Sequence, residues 1–246
     1  MMKMRAGRMA MAGMGLLVLI AAMGWAQSTD VVPLDQEPMH KRIFENAYIR
    51  AFAVTVPPKA ETKIHRHDRD YMFVMVGDSD VESVRVNEAP VHLTFKDGDA
   101  QWTKGGFAHK ARNLSDKPFK NVTIELKTNG AQGIGASGDC RITPKGRVGC
   151  EWIEASQRDP KNAGKITVIR YTIDAGATLQ GAPAGKSILV SLTTGDGKMT
   201  WAPGKTPSGM KLSAGGMFWI DWSGSPEQKL KNESGQVMRL CLLHLP

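Results

Sequence analysis

His65-Arg66-His67 is the pattern in this chain best suited to chemistry. Side chains alternate across a strand, so histidines at i and i+2 face one way. On the inner face of a barrel they would converge on one point. Asp70 follows shortly after His67 and could add a carboxylate. Two imidazoles and a carboxylate make a workable ligand set for divalent iron, manganese, zinc or nickel. An isolated His-x-His pair is also common on protein surfaces, so by itself it decides little. A second stretch runs from Gly98-Asp99 through Trp102 and Lys104-Gly105-Gly106 to His109 and Asn113, and brings a further imidazole.

Together these stretches resemble the two metal-site motifs of the cupin superfamily. The second family motif reads glycine, five residues, Pro-x-Gly, two residues, histidine, three residues, asparagine. Gly98, Lys104-Gly105-Gly106, His109 and Asn113 match every spacing, with Lys104 in the place of proline. The first motif, His-x-His, then glutamate, then glycine, is matched by His65, His67 and, six residues ahead of Gly77, by Asp70. Asp70 departs from it: aspartate is one methylene shorter, and only two residues separate it from His67. The fourth ligand is then absent, water-mediated or replaced by Asp68. Phe44-Glu45-Asn46-Ala47-Tyr48-Ile49-Arg50 also looks like the opening strand of small exported cupins, so the resemblance covers residues 42–127.

The resemblance implies a jelly-roll barrel with one divalent transition metal inside, held by His65, His67 and His109 with Asp70 completing the set. Open coordination positions would allow Lewis-acid, hydrolytic or dioxygen chemistry. The first functional reading is an exported metal-dependent cupin acting on a small organic molecule, an oxidoreductase similar to the quercetin-dioxygenase-like members. The alternatives are a non-oxidative lyase, isomerase or decarboxylase, and a non-catalytic protein that binds a sugar or similar ligand.

For these side chains to meet, adjoining strands must present them. Strand-length apolar or alternating runs recur between Gly, Pro, Asp and Asn. They are Ile49–Val56, Tyr71–Val76, Val81–Val86, Val91–Phe95 and Phe119–Leu126, then Ile166–Ile173, Ile188–Leu192, Met217–Ile220 and Val237–Leu243. Short strands with regular turn signals predict an all-β protein. Residues 129–165 are rich in Gly and charge and read as a linker. Within it Cys140 and Cys150 are suited to a disulfide in an oxidising compartment. Gly133-Ile134-Gly135-Ala136-Ser137-Gly138 fits the dinucleotide fingerprint, but Pro144 and no helical pattern follow, so chance is the better account.

The second half repeats the first in outline. With Tyr171–Gly176 set beneath Val54–Lys59, Ala182 and Ala184 fall at His65 and His67, and Lys186 at Asp70. Gly216 then falls at Gly98, Glu227 or Gln228 at His109, and Asn232 at Asn113. Turn residues survive, every ligand is lost, and an ammonium at Lys186 would repel a cation. Residues 27–128 therefore read as a metal-competent barrel and 166–246 as a degenerate one, two jelly rolls in tandem; the rival is an unrelated β-domain. Trp201, Trp219 and Trp222 are candidate lining for a ligand there, although Trp in a β-core is more often packing.

Lys3, Arg5 and Arg8 precede the apolar run Leu16–Ala22, and Gly24-Trp25-Ala26 ends in a small residue before Gln27. Charged, apolar, small is the secretory order, and the run is too short to span a bilayer. Removal of residues 1–26 would give a periplasmic or secreted protein with no stable membrane anchor. The net charge of +8 over 246 residues falls when Lys3, Arg5 and Arg8 leave, and no Lys/Arg block suits nucleic acid. The expected partners are a small-molecule substrate or ligand and, as an option, a second copy in a homodimer. Cys241, in the apolar run Met238–Leu243, reads as a buried free thiol. His40, His92 and His244 have no ligand-spaced neighbour and read as surface or satisfied structural histidines.

Overall fold

The structure is a computed structural model and describes residues 30–127, 148–152, 166–180, 185–200, 208–221 and 229–245. Among them the only helical element is one 3-10 turn, Leu34–Gln36. The strands of the first half are β1 (Val32–Pro33), β2 (His40–Glu45), β3 (Ile49–Val56), β4 (His65–His67) and β5 (Tyr71–Met75). They continue with β6 (Ser79–Arg85), β7 (Val91–Phe95), β8 (Ala100–Thr103), β9 (Phe107–Asn113) and β10 (Phe119–Leu126). The second half holds β11 (Val148–Trp152), β12 (Thr167–Ile173), β13 (Thr178–Gln180), β14 (Lys186–Ser191) and β15 (Gly195–Thr200). It ends with β16 (Ser208–Leu212), β17 (Met217–Asp221), β18 (Lys229–Asn232) and β19 (Met238–His244). The all-β expectation holds. No helix of the described residues is long and apolar enough to cross a membrane.

Each half is a pair of sheets. In the first half they run β1-β4-β9-β6-β7 and β2-β3-β10-β5-β8; in the second, β13-β18-β15-β16 and β11-β12-β19-β14-β17. Among the described residues the second pair repeats the first strand for strand, without a counterpart of β1. β11 lies inside the stretch expected to be linker, and it pairs with β12 as β2 pairs with β3. The expected Cys140–Cys150 pairing involves side chains outside the described residues, as do Trp201 and Trp222.

The duplication shows best in its hydrogen bonds. The Asn113 amide donates to the carbonyls of Val56, Pro57 and Lys117, and its oxygen accepts the Ser115 N–H. Asn232 does the same with Ile173, Asp174, Gln236 and Ser234. Both are fully buried, which leaves no water to replace these bonds. Lys186 is the counterpart of Asp70: Leu126 N–H donates to the Asp70 carbonyl and Leu245 N–H to that of Lys186. Gly98 has its counterpart at Gly215, one residue before the expected Gly216. Each donates its N–H to the last residue of the facing strand, Met75 or Ser191, and each has φ near +83° or +84°.

β10 shows why these strands are apolar on both faces. Phe119, Asn121, Thr123 and Glu125 point into the first barrel, while Val122, Ile124 and Leu126 point out of it, all of them buried. The outward row meets Ile166, Val168, Ile188, Val190 and Leu243 of the second half in one apolar cluster. The two barrels thus share a core across their facing sheets. At its edge Trp219 stacks on Tyr48 (ring centroids 5.6 Å apart), and Arg239 and Arg170 pair with Asp97 and Asp99. Trp219 belongs to this seam rather than to a ligand pocket of the second barrel.

The second half carries large apolar side chains where the first barrel has polar ones. By register, Leu240 and Leu242 stand where the first barrel has Asn121 and Thr123, Met199 where it has Ser83, and Leu179 where it has Thr62. All four are buried in one apolar cluster.

Candidate metal centre

β4 is short, and its alternation is complete: His65 and His67 are buried and Arg66 is exposed. It runs antiparallel to β9, with His65 opposite His109 and His67 opposite Phe107. Cross-strand neighbours on one face approach within about 4.5–5.5 Å. The His65 ring centroid lies 4.7 Å from that of His109 and 5.1 Å from that of His67. Nε2 of His109 stands 3.2 Å from Nε2 of His67.

A fourth imidazole comes from the opposite sheet. The β2–β3 register sets His40 beside Val54, on the inner face of the barrel, with its ring 4.6 Å from that of His65. Ligand nitrogens of His40, His65 and His67 all lie within 4.8 Å of one another. His40 is thus buried rather than at the surface, and it stands in a group that could hold a metal. Its neighbours are remote in sequence, so spacing could not reveal it; the available signal was Glu37, one turn earlier. His92 and His244 match expectation: His92 is exposed and pairs with Asp80, and His244 Nδ1 lies 3.1 Å from the Ser187 hydroxyl.

Hydrogen bonds set which nitrogen each ring offers. Glu37 Oε2 accepts from His40 Nδ1 at 2.6 Å, and the Lys63 carbonyl accepts from His65 Nδ1 at 2.9 Å. Both rings then keep a bare lone pair on Nε2, the form that ligates a metal. His65 Nε2 is buried without a hydrogen-bond partner. Burial drives the His65 pKa down to about 4, with His40 adding to the effect. Burial also lowers His67 and His109, each further depressed by neighbouring imidazoles. These rings are neutral at physiological pH, so no proton need leave before a cation binds. For Glu37, burial would raise the pKa, but the hydrogen bonds from His40 and the Lys63 N–H outweigh it and hold the carboxylate below its usual range.

The donor set fits a transition metal. Two nitrogens each about 2.1 Å from one ion stand at most about 4.2 Å apart, so the cluster closes on an ion with small side-chain adjustments. Imidazole donors suit zinc, iron, nickel and copper.

Asp70 is placed differently from the histidines. Its Oδ1 accepts the Gly105 N–H at 2.9 Å, joining the loop after β4 to the loop after β8. A Cβ on residue 105 would stand 2.3 Å from the Arg69 carbonyl, so only glycine allows these loops to touch. Gly105, between the motif's Lys104 and Gly106, lines a cavity beside the histidines. Asp68, the other candidate carboxylate, is exposed and lies 3.9 Å from Arg66.

Beside the histidines opens a cavity of about 430 Å³. Its walls include Phe73, Phe95 and Phe107, with Gln101, Thr103, Asn121 and Thr123 as polar points and Arg85 and Lys104 as charged ones. The Tyr71 ring stacks on His67 at 4.0 Å, and burial pushes its phenol up to about 12. Trp102 packs against the core between the barrels.

No family model matches the sequence, and no curated protein does either. Solved structures do match. AerE from Microcystis aeruginosa superposes with a TM-score of 0.56 at 13% identity, over 85% of this chain and 98% of that one. Vicilin from Capsicum annuum gives 0.60 at 10% identity, over 80% and 75%. Salicylate 1,2-dioxygenase from Pseudaminobacter salicylatoxidans gives 0.53 at 14% identity, over 83% and 75%. Likeness at such identities speaks for architecture. With the duplicated sheets, it shows that this chain has a cupin-type fold, two β-barrels in tandem.

Proposed function

We propose that the first barrel binds one divalent transition metal through His65, His67 and His109, with His40 as a further ligand. We also propose that the chain is an exported metal-dependent oxidoreductase of dioxygenase type acting on a small organic molecule. The observation that carries this reading is the grouping of His40, His65 and His67 ligand nitrogens within 4.8 Å, with His109 Nε2 3.2 Å from that of His67, at the wall of a ligand-sized cavity, and with His65 Nε2 buried and unpartnered. A redox-active metal held there would supply dioxygen chemistry, and a redox-inert one Lewis-acid chemistry. The chain's own part is to orient and shelter the substrate: Gln101, Thr103, Asn121 and Thr123 offer hydrogen bonds, and the phenylalanine walls exclude water.

The oxidative route is favoured over lyase or isomerase chemistry because the cavity lining contains no aspartate or glutamate to serve as general base. Tyr71, with its phenol pushed up to about 12, stays protonated at neutral pH. Proteins of similar fold include both a salicylate dioxygenase and an oxalate decarboxylase from Bacillus subtilis. Export rests on the charged, apolar, small order of residues 1–26.

The test is elemental analysis of the untagged chain from Gln27 onward, purified without chelator, beside a His65→Ala/His109→Ala variant. Near one equivalent of metal, lost in the variant, is expected. Bound iron with substrate-dependent oxygen uptake would support the oxidoreductase, and manganese, zinc or nickel without uptake would favour a non-oxidative enzyme. No metal after reconstitution would overturn the reading and leave a binding barrel.

A further inference from the structure

We infer that the cavity of the first barrel takes an organic anion, its carboxylate held between Arg85 and Lys104. The inference rests on that cavity being the ligand site and specifies what the site selects. Of the side chains lining it, Arg85 and Lys104 are the permanent cations, and no carboxylate faces them from the lining. The nearby acids are engaged elsewhere. Glu37 holds His40, Asp70 holds the Gly105 N–H, and Glu125 receives Arg50 at 2.7 Å and 2.5 Å. A partly enclosed site lined by one sign of charge concentrates ligands of the other.

Arg85 is built for the task. It ends β6 directly opposite His109, which brings it to the metal-site end of the cavity. Its guanidinium carbon lies 4.2 Å from the centroid of the Phe107 ring, so stacking restrains the long side chain. Its one ion pair among the described residues is with Glu88 at 3.9 Å, between exposed groups and too long for a hydrogen bond. The planar fork of N–H donors is therefore available to a planar carboxylate. Lys104 stands where the cupin motif has proline, on the loop that Asp70 fastens through Gly105. That departure adds a positive charge to the lining. The walls of Phe73, Leu93 and Phe95 suit an apolar or aromatic body, and about 430 Å³ is the size of a small-molecule pocket.

The test compares benzoate and phenylacetate with benzamide and phenylacetamide by isothermal titration calorimetry on the exported chain. Each sample is used as purified and after chelator treatment, with its metal content measured. Each acid should bind at least about ten-fold more tightly than its amide, as a charge-assisted bond predicts. Arg85→Gln should abolish that preference and Lys104→Gln reduce it, with amide affinity, thermal unfolding and metal content unchanged. Equal affinity for acid and amide would overturn the inference, as would failure of both acids to bind. So would an acid preference that survives the double variant and vanishes in His65→Ala, since metal alone would then hold the anion. Acid preference in a chain that binds no metal would sink the metal proposal and leave this one standing.

Discussion

Replacing Glu37 by glutamine tests whether His40 belongs to the metal site without touching a ligand. The Glu37 side chain is 1% exposed, and its two oxygens accept three N–H groups. Oε2 takes His40 Nδ1 at 2.6 Å and the Met39 N–H at 2.8 Å, and Oε1 takes the Lys63 N–H at 3.2 Å. Glutamine offers one acceptor oxygen and an NH₂. If that oxygen keeps His40 and Met39, the NH₂ faces the Lys63 N–H, donor against donor; the flipped amide sets two donors against it. Leaving one buried donor unmatched costs about 1–3 kcal/mol of stability. Loss of the carboxylate also makes His40 a poorer ligand, and a carboxylate behind a metal-bound histidine is worth about 10–100-fold in metal affinity. That range is about 1.4–2.7 kcal/mol. Urea denaturation of the metal-free chain measures the first effect, and competition with a chromophoric chelator the second. Both should fall in Glu37→Gln, and His40→Ala should lose at least as much metal affinity. Reduced stability with metal affinity unchanged in both variants would refute the reasoning and make the Glu37–His40 pair purely structural.

Ile124→Ala, in the fully buried core between the barrels, should cost about 2–5 kcal/mol in chemical denaturation. Both barrels should still unfold in one transition; two separated transitions would show that the shared core does not couple them. Asn232→Ala should destabilise the chain by about 1–3 kcal/mol for each buried group left unpaired, yet leave metal content untouched, because that network lies in the second half, away from the histidines. Asp70→Ala should retain metal by elemental analysis, since the carboxylate serves the Gly105 loop; a loss equal to that of His65→Ala would make Asp70 a ligand. Cys241 is fully buried and burial pushes its thiol up to about 12, so in a Cys140→Ser/Cys150→Ser background it should react with a thiol reagent only after unfolding.

Much of this was legible in the chain itself. Apolar alternation marked β3, β7 and β10 to the residue, because a strand buried on one or both faces must repeat with period two. The motif resemblance singled out His65, His67 and His109, and the pairing of β4 with β9 brings these three rings together. The duplication was visible in Asn232 and Lys186, whose backbone bonds match those of Asn113 and Asp70.

What sequence left open was everything that depends on closure of one sheet over another. β11 hid in a Gly-rich stretch because an edge strand needs only one partner, not an apolar pattern of its own. The placement of Asp70 was ambiguous because a carboxylate near two histidines can turn to a metal or to a backbone N–H, and only the contact between two loops set its Oδ1 on the Gly105 N–H. His40 and Glu37 looked inert until β2 was folded across from β4, since a residue's neighbours through the barrel are set by the register of separate strands. The same closure brought Arg85 and Lys104 to one cavity. Alternation along the chain records which face of a strand is buried; only the closed barrel decides what that face meets.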